Sequence, residues 1–296
     1  MIKFNRKTGC CNTPYSVNIS VTERCLLKCP FCFHEYDNCE ELSFSQVCGY
    51  IDELVRMGTA QIQFSGGEPL VYQHILEAIS YAHSKGIRVV ISTSGVTITE
   101  EFARKLKEAG LECCYISLNG STAEIPEITR DGYKFAVNAL GIFQKIGLTS
   151  AINWVACHDN VKDLENVVSL AKSLGVKYIC VIPMKKCGSN RAFRKITNED
   201  LYILTECRKR NKDYLIFDSC FEALVAESQS AKSVSFGCRA GKFYMAISAQ
   251  GKFLCCPHLF NSATDASSIE EYWKNDELLS QFRHKGGCLC VSTLDE

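Results

Sequence analysis

The 296-residue chain lacks an excess of charge of either sign, because 33 lysines and arginines balance 33 aspartates and glutamates. This balance gives no electrostatic basis for binding nucleic acid or an anionic membrane. The sequence also lacks an apolar run of the roughly 18–20 residues needed to cross a bilayer. Its first residues, Met1 to Arg6, lack the apolar stretch of a signal peptide. We therefore expect a cytoplasmic protein with no nucleic-acid or membrane partner.

Cysteine, in contrast, is abundant, with 19 residues. In a cytoplasmic chain of this length, such a number indicates metal sites or redox chemistry rather than a disulfide framework. An odd count also excludes complete pairing within the chain. Some of these residues fall in apolar or helical runs, where a free thiol packs as a small hydrophobe. We expect this role for Cys48, Cys113, Cys180 and Cys207.

Short β-branched segments alternate with helical patterns from Tyr15 to about Met184. The predicted strands cover residues 15–21, 60–65, 87–92, 113–118, 150–156 and 176–182. The predicted helices cover residues 44–57, 71–85, 97–109, 132–146 and 161–174. Successive βα units predict a parallel sheet with right-handed crossovers. Because a closed barrel has eight units, these six predict an α/β fold, a partial TIM-like (β/α)6 barrel.

The pattern changes after Pro183, where a basic, loop-like stretch begins. A helix is predicted at 198–212 and a strand near 214–218. A hairpin pattern then turns at Gly251, and a helix is predicted at about 268–283. We therefore expect an N-terminal extension (1–14), the barrel (15–184), a connecting region (185–234) and a small C-terminal domain (235–296).

Three cysteines follow the first predicted strand with the spacing Cys-x3-Cys-x2-Cys: Cys25, Cys29 and Cys32. Thiolates are the usual ligands of iron–sulfur clusters. Three protein ligands on a four-iron cluster leave one iron open to another ligand. The alternative is a zinc site formed by the same cysteines with His34.

A second motif, Gly66-Gly67-Glu68-Pro69, ends the second predicted strand. Glycines let a backbone approach a ligand closely, and a carboxylate can bind an ammonium group. Together with the cysteine spacing, this segment resembles the radical S-adenosylmethionine (SAM) superfamily over residues 15 to about 184. The resemblance implies a [4Fe-4S] cluster whose open iron chelates SAM, and reductive cleavage of SAM to a 5′-deoxyadenosyl radical. It also implies that the Gly-Gly-Glu-Pro segment holds the SAM amino group.

Further strand ends resemble the family's SAM site. Thr93-Ser94-Gly95 has serine where the family often has asparagine, and Asn119 in Ser117-Leu118-Asn119-Gly120 replaces an aspartate. The resemblance implies that Ser117 and Arg130 bind the SAM carboxylate and that Asn153 faces the ribose. The cofactor-binding residues predicted at these strand ends are thus Ser94, Ser117, Asn119, Arg130 and Asn153.

The C-terminal pattern Cys238-x12-Gly251-x4-Cys256 resembles the opening of a SPASM or twitch domain, which carries auxiliary iron–sulfur clusters. The glycine allows a hairpin turn that brings the two cysteines together. The resemblance implies a second [4Fe-4S] cluster, with Cys288 and Cys290 as the remaining ligands. A full SPASM domain carries seven or more ligand cysteines, so one auxiliary cluster is the most we expect.

Radical SAM enzymes with such a domain mostly modify peptides. The resemblance therefore implies a peptide substrate with a leader, modified by cross-linking, thioether formation or epimerisation. It also implies a one-electron reductant such as flavodoxin or ferredoxin. Two alternatives remain open. A small-molecule enzyme, of the viperin-like nucleotide or cofactor-biosynthesis type, is favoured by Phe31-Cys32-Phe33-His34. A non-catalytic iron–sulfur protein is disfavoured by the Gly-Gly-Glu-Pro segment.

Overall fold

The structure is a computed structural model, and it describes residues 2–5, 9–30, 32, 34, 39–125, 130–185, 196–221, 238–259, 263–264 and 266–284. Its strands are β1 Phe4–Asn5, β2 Cys10–Cys11, β3 Ser16–Thr22, β4 Gln61–Gly66, β5 Arg88–Thr93, β6 Cys113–Ser117, β7 Ser150–Ala156, β8 Ile179–Pro183, β9 Leu215–Phe217, β10 Tyr244–Ile247 and β11 Phe253–Leu254. Its helices are α1 Phe44–Met57, α2 Ile75–Ser84, α3 Glu100–Glu108, α4 Tyr133–Ile146, α5 Leu164–Ser173, α6 Asn198–Arg210, α7 Ile269–Asn275 and α8 Glu277–His284.

The predicted α/β class is confirmed by one mostly parallel sheet. The sheet has the order β11-β10-β3-β4-β5-β6-β7-β8-β9, and all neighbours are parallel except β10 and β11. Strands β3 to β8 lie where the six strands were predicted, with a helix between each successive pair. Because parallel strands all end on the same side, the loops after β3 to β8 converge at one edge of the sheet.

The sheet extends beyond the six predicted units at both edges. Strand β9 pairs with β8 through Leu215 to Phe217. At the other edge, β10 pairs in parallel with β3, so that Tyr244 lies opposite Ser16 and Ile247 opposite Ile19. This pairing satisfies the backbone groups that β3 would otherwise expose at an edge. The C-terminal segment, predicted as a separate small domain, therefore shares the sheet of the barrel.

Local sequence signals account for the ends of helix α1. The hydroxyl of Ser43 accepts a hydrogen bond from the backbone N–H of Gln46, and the Gln46 side chain accepts one from the Ser43 backbone. This reciprocal cap satisfies two donors that the first turn would otherwise leave unpaired. The helix ends at Gly58, whose φ of 79° lies in the left-handed region that glycine adopts without strain.

The hydrophobic core lies between the helices and the outer face of the sheet. Apolar side chains at alternate strand positions, such as Val17, Ile19, Ile62 and Phe64, are fully buried there. Each such burial stabilises the fold by about 1.5–3 kcal/mol. Within the described part of the chain, none of the helices combines the length and apolar character needed to cross a membrane.

The predicted C-terminal helix at 268–283 is divided in two at Asp276, whose backbone is extended. Helix α7 begins at a cap formed by Ser268 and packs on the N-terminal strands, where the Trp273 indole N–H donates to the Cys11 carbonyl at 3.3 Å. Arg283 in α8 donates to the Gly241 carbonyl at 2.7 Å. These contacts hold the helices against the start of the β10–β11 hairpin.

Candidate active site

The inner face of the curved sheet encloses a cavity of about 490 Å³. This volume lies within the range of pockets that bind small ligands. Ten of the predicted residues line the cavity: Cys25, Cys29, Cys32, His34, Gly66, Gly67, Ser94, Ser117, Arg130 and Asn153. Residues from five different strands or the loops after them thus converge on one site, as expected at the carboxyl ends of parallel strands.

The cysteine loop follows β3 and presents three thiols to the cavity. Its backbone is folded so that the Cys32 N–H donates to the Cys29 carbonyl at 3.0 Å. The Leu27 N–H donates to the Cys25 sulfur at 3.5 Å, and the His34 N–H donates to the Cys32 sulfur. Burial raises the pKa of the Cys25 thiol to about 11, and the Leu27 N–H acts in the opposite direction. Three thiols, two of them with backbone donors, suit an iron–sulfur cluster, because hydrogen bonds to the sulfurs stabilise it.

His34 lies on the cavity wall and is held there by Glu23. The distance from His34 Nδ1 to Glu23 Oε2 is 2.5 Å, and both side chains are largely buried. This contact fixes the orientation of the ring, since a carboxylate bound to one nitrogen directs the other away from it. The Glu23–His34 pair thus sets the orientation of the ring on the cavity wall, as a carboxylate also does for histidines that bind metal ions.

The Gly66-Gly67 segment lies directly against the cysteine loop. The Gly67 N–H donates to the Thr22 carbonyl at 2.8 Å, and the Glu68 N–H donates to the Arg24 carbonyl at 2.7 Å. A Cβ atom at Gly67 would lie 2.4 Å from the Arg24 carbonyl oxygen, and a Cβ at Gly66 would lie 2.1 Å from that of Thr22. Only glycine fits at these two positions, so the close approach holds the cysteine loop against β4.

Glu68 does not line the cavity, although Gly66 and Gly67 do. It is 1% exposed, and its carboxylate accepts hydrogen bonds from the hydroxyl of Thr93, the N–H and hydroxyl of Ser94 and the N–H of Leu70. Pro69, also buried, begins a 3-10 turn and likewise does not line the cavity. Glu68 therefore ties the end of β4 to the end of β5, and Ser94 rather than Glu68 reaches the cavity.

Asn119 is fully buried and also lies outside the cavity wall. Its side-chain oxygen accepts from the Val155 N–H at 3.1 Å, and its carbonyl accepts from the Asn160 side chain at 3.1 Å. These contacts join the end of β6 to β7. Asn119 thus lies behind the cavity wall, whereas Ser117, at the last position of β6, lines the cavity.

Polar side chains cover the inner face of the strands, which sequence reasoning missed apart from Asn153. Ser65 donates to Asn18 at 2.6 Å. Ser92 accepts from both Gln63, at 2.6 Å, and Asn153, at 3.1 Å. The alternation in Ser16-Val17-Asn18-Ile19-Ser20-Val21 is the sequence signal that could have revealed this face. The inner face is suited to a polar ligand, unlike the branched apolar layers that fill a closed barrel.

A third group of residues lines the cavity from β8, β9 and the loops after them. Cys180 lies on β8, Lys185 follows that strand and Asp218 follows β9. Burial raises the pKa of the Cys180 thiol to about 12 and that of the Asp218 carboxyl to about 6, with Lys185 opposing both shifts. Cys180 was expected only to pack as a hydrophobe, and the structure instead places it on the wall of the cavity.

The β10–β11 hairpin supplies the remaining wall through Tyr244, Pro257 and His258. The predicted ligands Cys238 and Cys256 flank this hairpin and are each 1% exposed. The Tyr244 hydroxyl donates to the Cys256 sulfur at 3.4 Å, so the hairpin thiols adjoin the cavity. The other two predicted ligands, Cys288 and Cys290, lie outside the described residues.

A third thiol that sequence reasoning missed, Cys220, hydrogen-bonds to Cys238. This contact and burial raise the pKa of Cys238. Cys220 lies three residues after the end of β9. Its position just after a strand is the sequence signal that could have revealed it, because many of the cavity residues also follow strand ends. Among the described residues, no three or more His, Cys, Asp or Glu side chains are grouped closely enough for a single metal ion.

Comparison with known proteins agrees with this site. The family model of the Radical SAM superfamily matches residues 19–171, which contain the cysteine loop and the ends of β4 to β7. The Fe-coproporphyrin III synthase of Methanosarcina barkeri is 33% identical over 187 residues, covering 62% of this chain and 46% of that protein. The chain thus spans less than half the length of this relative.

Two further proteins match nearly the whole chain. The PqqA peptide cyclase of Rhodopseudomonas palustris is 26% identical over 289 residues, covering 92% of this chain and 77% of that protein. The structure of Streptococcus suis SuiB bound to the precursor peptide SuiA has a TM-score of 0.79 at 18% identity, covering 95% of this chain and 69% of that chain. At this identity the structural likeness shows a shared fold over 95% of this chain.

Proposed function

The chain belongs to the radical SAM superfamily, and we propose that it modifies a ribosomally synthesised peptide bound in the cavity beside SAM. The enzymes of this superfamily use a [4Fe-4S] cluster and SAM, which together supply a 5′-deoxyadenosyl radical. In this chain, Cys25, Cys29 and Cys32 would hold the cluster. The product would be a cross-link, a thioether or an epimerised residue.

The cavity walls divide the binding of SAM among several strand ends. The backbone at Gly66 and Gly67, which lines the cavity beside the cysteine loop, would lie against the SAM amino group. Arg130 and Ser117, both on the cavity wall, would bind the carboxylate. Asn153 would contact the ribose, and Ser94 would present a hydroxyl held in place by Glu68.

The observation that carries the proposal is that one cavity joins the cysteine loop to the C-terminal hairpin. The loop contributes three thiols, and the hairpin contributes Tyr244, Pro257 and His258. A cavity of about 490 Å³ lies within the size range of small-ligand pockets, so most of a bound peptide would extend through its opening. The similarity to a peptide cyclase and to a peptide-bound radical SAM enzyme supports this reading.

The proposal requires two partners. A peptide substrate with a leader would bind at the opening, and a one-electron reductant such as flavodoxin or ferredoxin would reduce the cluster near the cysteine loop. Leu26, 61% exposed within that loop, marks a side from which a reductant could approach the three thiols. An auxiliary [4Fe-4S] cluster at Cys238 and Cys256 would lie on the hairpin side of the bound residue.

A small-molecule substrate is the second candidate. It is favoured by the 33% identity to an Fe-coproporphyrin III synthase and by Lys185, a cationic side chain on the cavity wall that is not assigned to SAM. A cation there suits a substrate that carries a carboxylate. The hairpin thiols give no reason to prefer this candidate over the peptide.

Mass spectrometry of two parallel reactions tests both candidates. Reduced enzyme with reconstituted clusters is incubated with SAM and either the short peptides encoded beside its gene or Fe-coproporphyrin III. We expect a mass shift on a peptide that depends on SAM and reductant and is absent in a Cys25→Ala/Cys29→Ala/Cys32→Ala variant. Conversion of Fe-coproporphyrin III with unchanged peptides would replace the peptide proposal by the second candidate.

A further inference from the structure

Opposite edges of the sheet meet at three buried thiols. Cys220 follows β9 at one edge, whereas Cys238 and Cys256 flank the β10–β11 hairpin at the other. Cys220 is fully buried and the other two are each 1% exposed. Cys220 hydrogen-bonds to Cys238, and Cys256 is within electrostatic range of Cys238. The thiols therefore bridge the open side of the partial barrel.

We propose that Cys220 is a ligand of the auxiliary iron–sulfur cluster together with Cys238 and Cys256, and that this cluster clips the two edges of the barrel together. The proposal rests on the proposed function for the type of metal centre, and it adds a ligand from the barrel itself. Cys220 lies outside the hairpin pattern that predicted the other two cysteines. The ligand set therefore joins segments that are distant in sequence.

The surroundings of the three sulfurs fit such a cluster. The Ala240 N–H donates to the Cys238 sulfur, and the Tyr244 hydroxyl donates to the Cys256 sulfur at 3.4 Å. Donors of this kind stabilise cluster sulfurs and adjust the reduction potential. The turn that carries Cys220 is also held in place, because Asp218 Oδ1 accepts from the N–H groups of Cys220 and Phe221 at 2.8 and 3.1 Å.

A purely structural role explains these thiols less well. A free cysteine packs as a small hydrophobe among apolar neighbours, and Cys220, Cys238 and Cys256 belong to the hydrophobic core as Cys207 does. Here three sulfurs converge with a tyrosine hydroxyl, and all three act electrostatically on that hydroxyl. A metal centre between them would contribute binding free energy to the folded state and hold the edges at a fixed separation.

Iron content and spectroscopy test the proposal without relying on turnover. The full chain is reconstituted anaerobically with iron and sulfide as the wild type and as Cys220→Ala, Cys238→Ala and Cys207→Ala variants. We expect about eight irons in the wild type and in Cys207→Ala, because two four-iron clusters form. We expect about four in Cys220→Ala and Cys238→Ala, with the SAM-dependent change in the electron paramagnetic resonance signal of the remaining cluster retained.

Cys220→Ser separates ligation from folding, because serine keeps the size of the side chain. If this variant keeps a native circular dichroism spectrum, we expect an altered auxiliary signal or loss of about half the iron. Wild-type iron content in both Cys220 variants, with a loss only in Cys238→Ala, would remove Cys220 from the ligand set. About four irons in all proteins, with SAM cleavage intact, would remove the auxiliary cluster but leave the radical SAM assignment standing.

Discussion

The carboxylate of Glu68 accepts two hydrogen bonds from Ser94, one from its N–H at 2.8 Å and one from its hydroxyl at 2.5 Å. Glu68 stands at the end of β4 and Ser94 at the end of β5, so this pair fixes the relative position of two loops around the cavity. Ser94 lines the cavity, whereas Glu68 does not. We therefore propose that Glu68 acts on the SAM site as a positioning residue, through Ser94.

Glu68→Gln tests this role. Four protein donors face the carboxylate, and an amide would turn its own donors toward at least one of them. We expect a loss of about 1–3 kcal/mol in the free energy of unfolding of the cluster-free protein, the usual cost of a buried unsatisfied donor. We also expect weaker SAM binding as the loops shift. Denaturant unfolding and equilibrium SAM binding measure the two effects, with the exposed Glu77→Gln as control.

The same pair of measurements distinguishes positioning from direct contact. If Glu68 bound the SAM ammonium, Glu68→Gln would weaken SAM binding by about 1.5–3 kcal/mol with little change in stability. Combining Glu68→Gln with Ser94→Ala gives a further comparison. Residues that act through one interaction have non-additive effects, so we expect the double variant to bind SAM about as weakly as Glu68→Gln alone.

Changing Cys25, Cys29 and Cys32 together to alanine should abolish reductive cleavage of SAM. The open iron exists only when three thiolates hold the cluster, so no partial activity is expected. The measurement is the amount of 5′-deoxyadenosine released under dithionite. Cys48→Ala, a thiol on α1 that does not line the cavity, should release as much as the wild type. Release of 5′-deoxyadenosine by the triple variant would refute the cluster assignment.

Much of this site follows from local sequence signals. The six βα units were predictable because each strand is short and β-branched and each helix has its own periodicity. The parallel order then places Cys25, Gly66, Ser94 and Ser117 on one cavity, since every residue at a strand's carboxyl end meets the others. The contacts that these residues make were harder to predict from sequence. Glu68 and Asn119 lie in motifs that resemble the family's SAM site, yet their side chains form hydrogen bonds that join strand ends.

The features that could not be predicted depend on contacts between segments that are distant in the sequence. Strand β10 could not be assigned to the edge of β3 from sequence, because an edge pairing leaves no local pattern. The contact between Cys220 and Cys238 has the same origin, as it requires the curvature of the whole sheet. The polar inner face was accessible from the alternation around Asn18.

Replacement of Gly67 by alanine should disrupt the cysteine loop. The added methyl group would lie 2.4 Å from the carbonyl oxygens of both Glu23 and Arg24. Because these are backbone atoms, relieving the overlap requires a shift of the whole loop. We expect a loss of about 1–3 kcal/mol in unfolding free energy, as for overpacking elsewhere, and reduced iron at the SAM cluster. Gly141→Ala in α4, where nothing lies within 4 Å, is the matched control and should stabilise the helix by up to about 1 kcal/mol. Equal unfolding free energies for the two variants would contradict the close approach.

Tyr244→Phe tests the link between the cavity and the hairpin thiols. The Tyr244 hydroxyl donates to the Cys256 sulfur at 3.4 Å, and the same side chain lines the cavity. If Cys256 ligates a cluster, this hydrogen bond favours the reduced, more negative state. A net hydrogen bond of about 1 kcal/mol corresponds to roughly 40 mV for one electron. We therefore expect the auxiliary potential, measured by redox titration with spectroscopic detection, to fall by about that amount while iron content and the SAM-cluster potential stay unchanged.

Tyr178→Phe, which removes a hydroxyl bonded to Tyr115 instead, should leave the auxiliary potential at the wild-type value. An unshifted potential in Tyr244→Phe, with the auxiliary cluster present, would show that the hydroxyl does not act on the cluster and that the cavity wall is electronically separate from it.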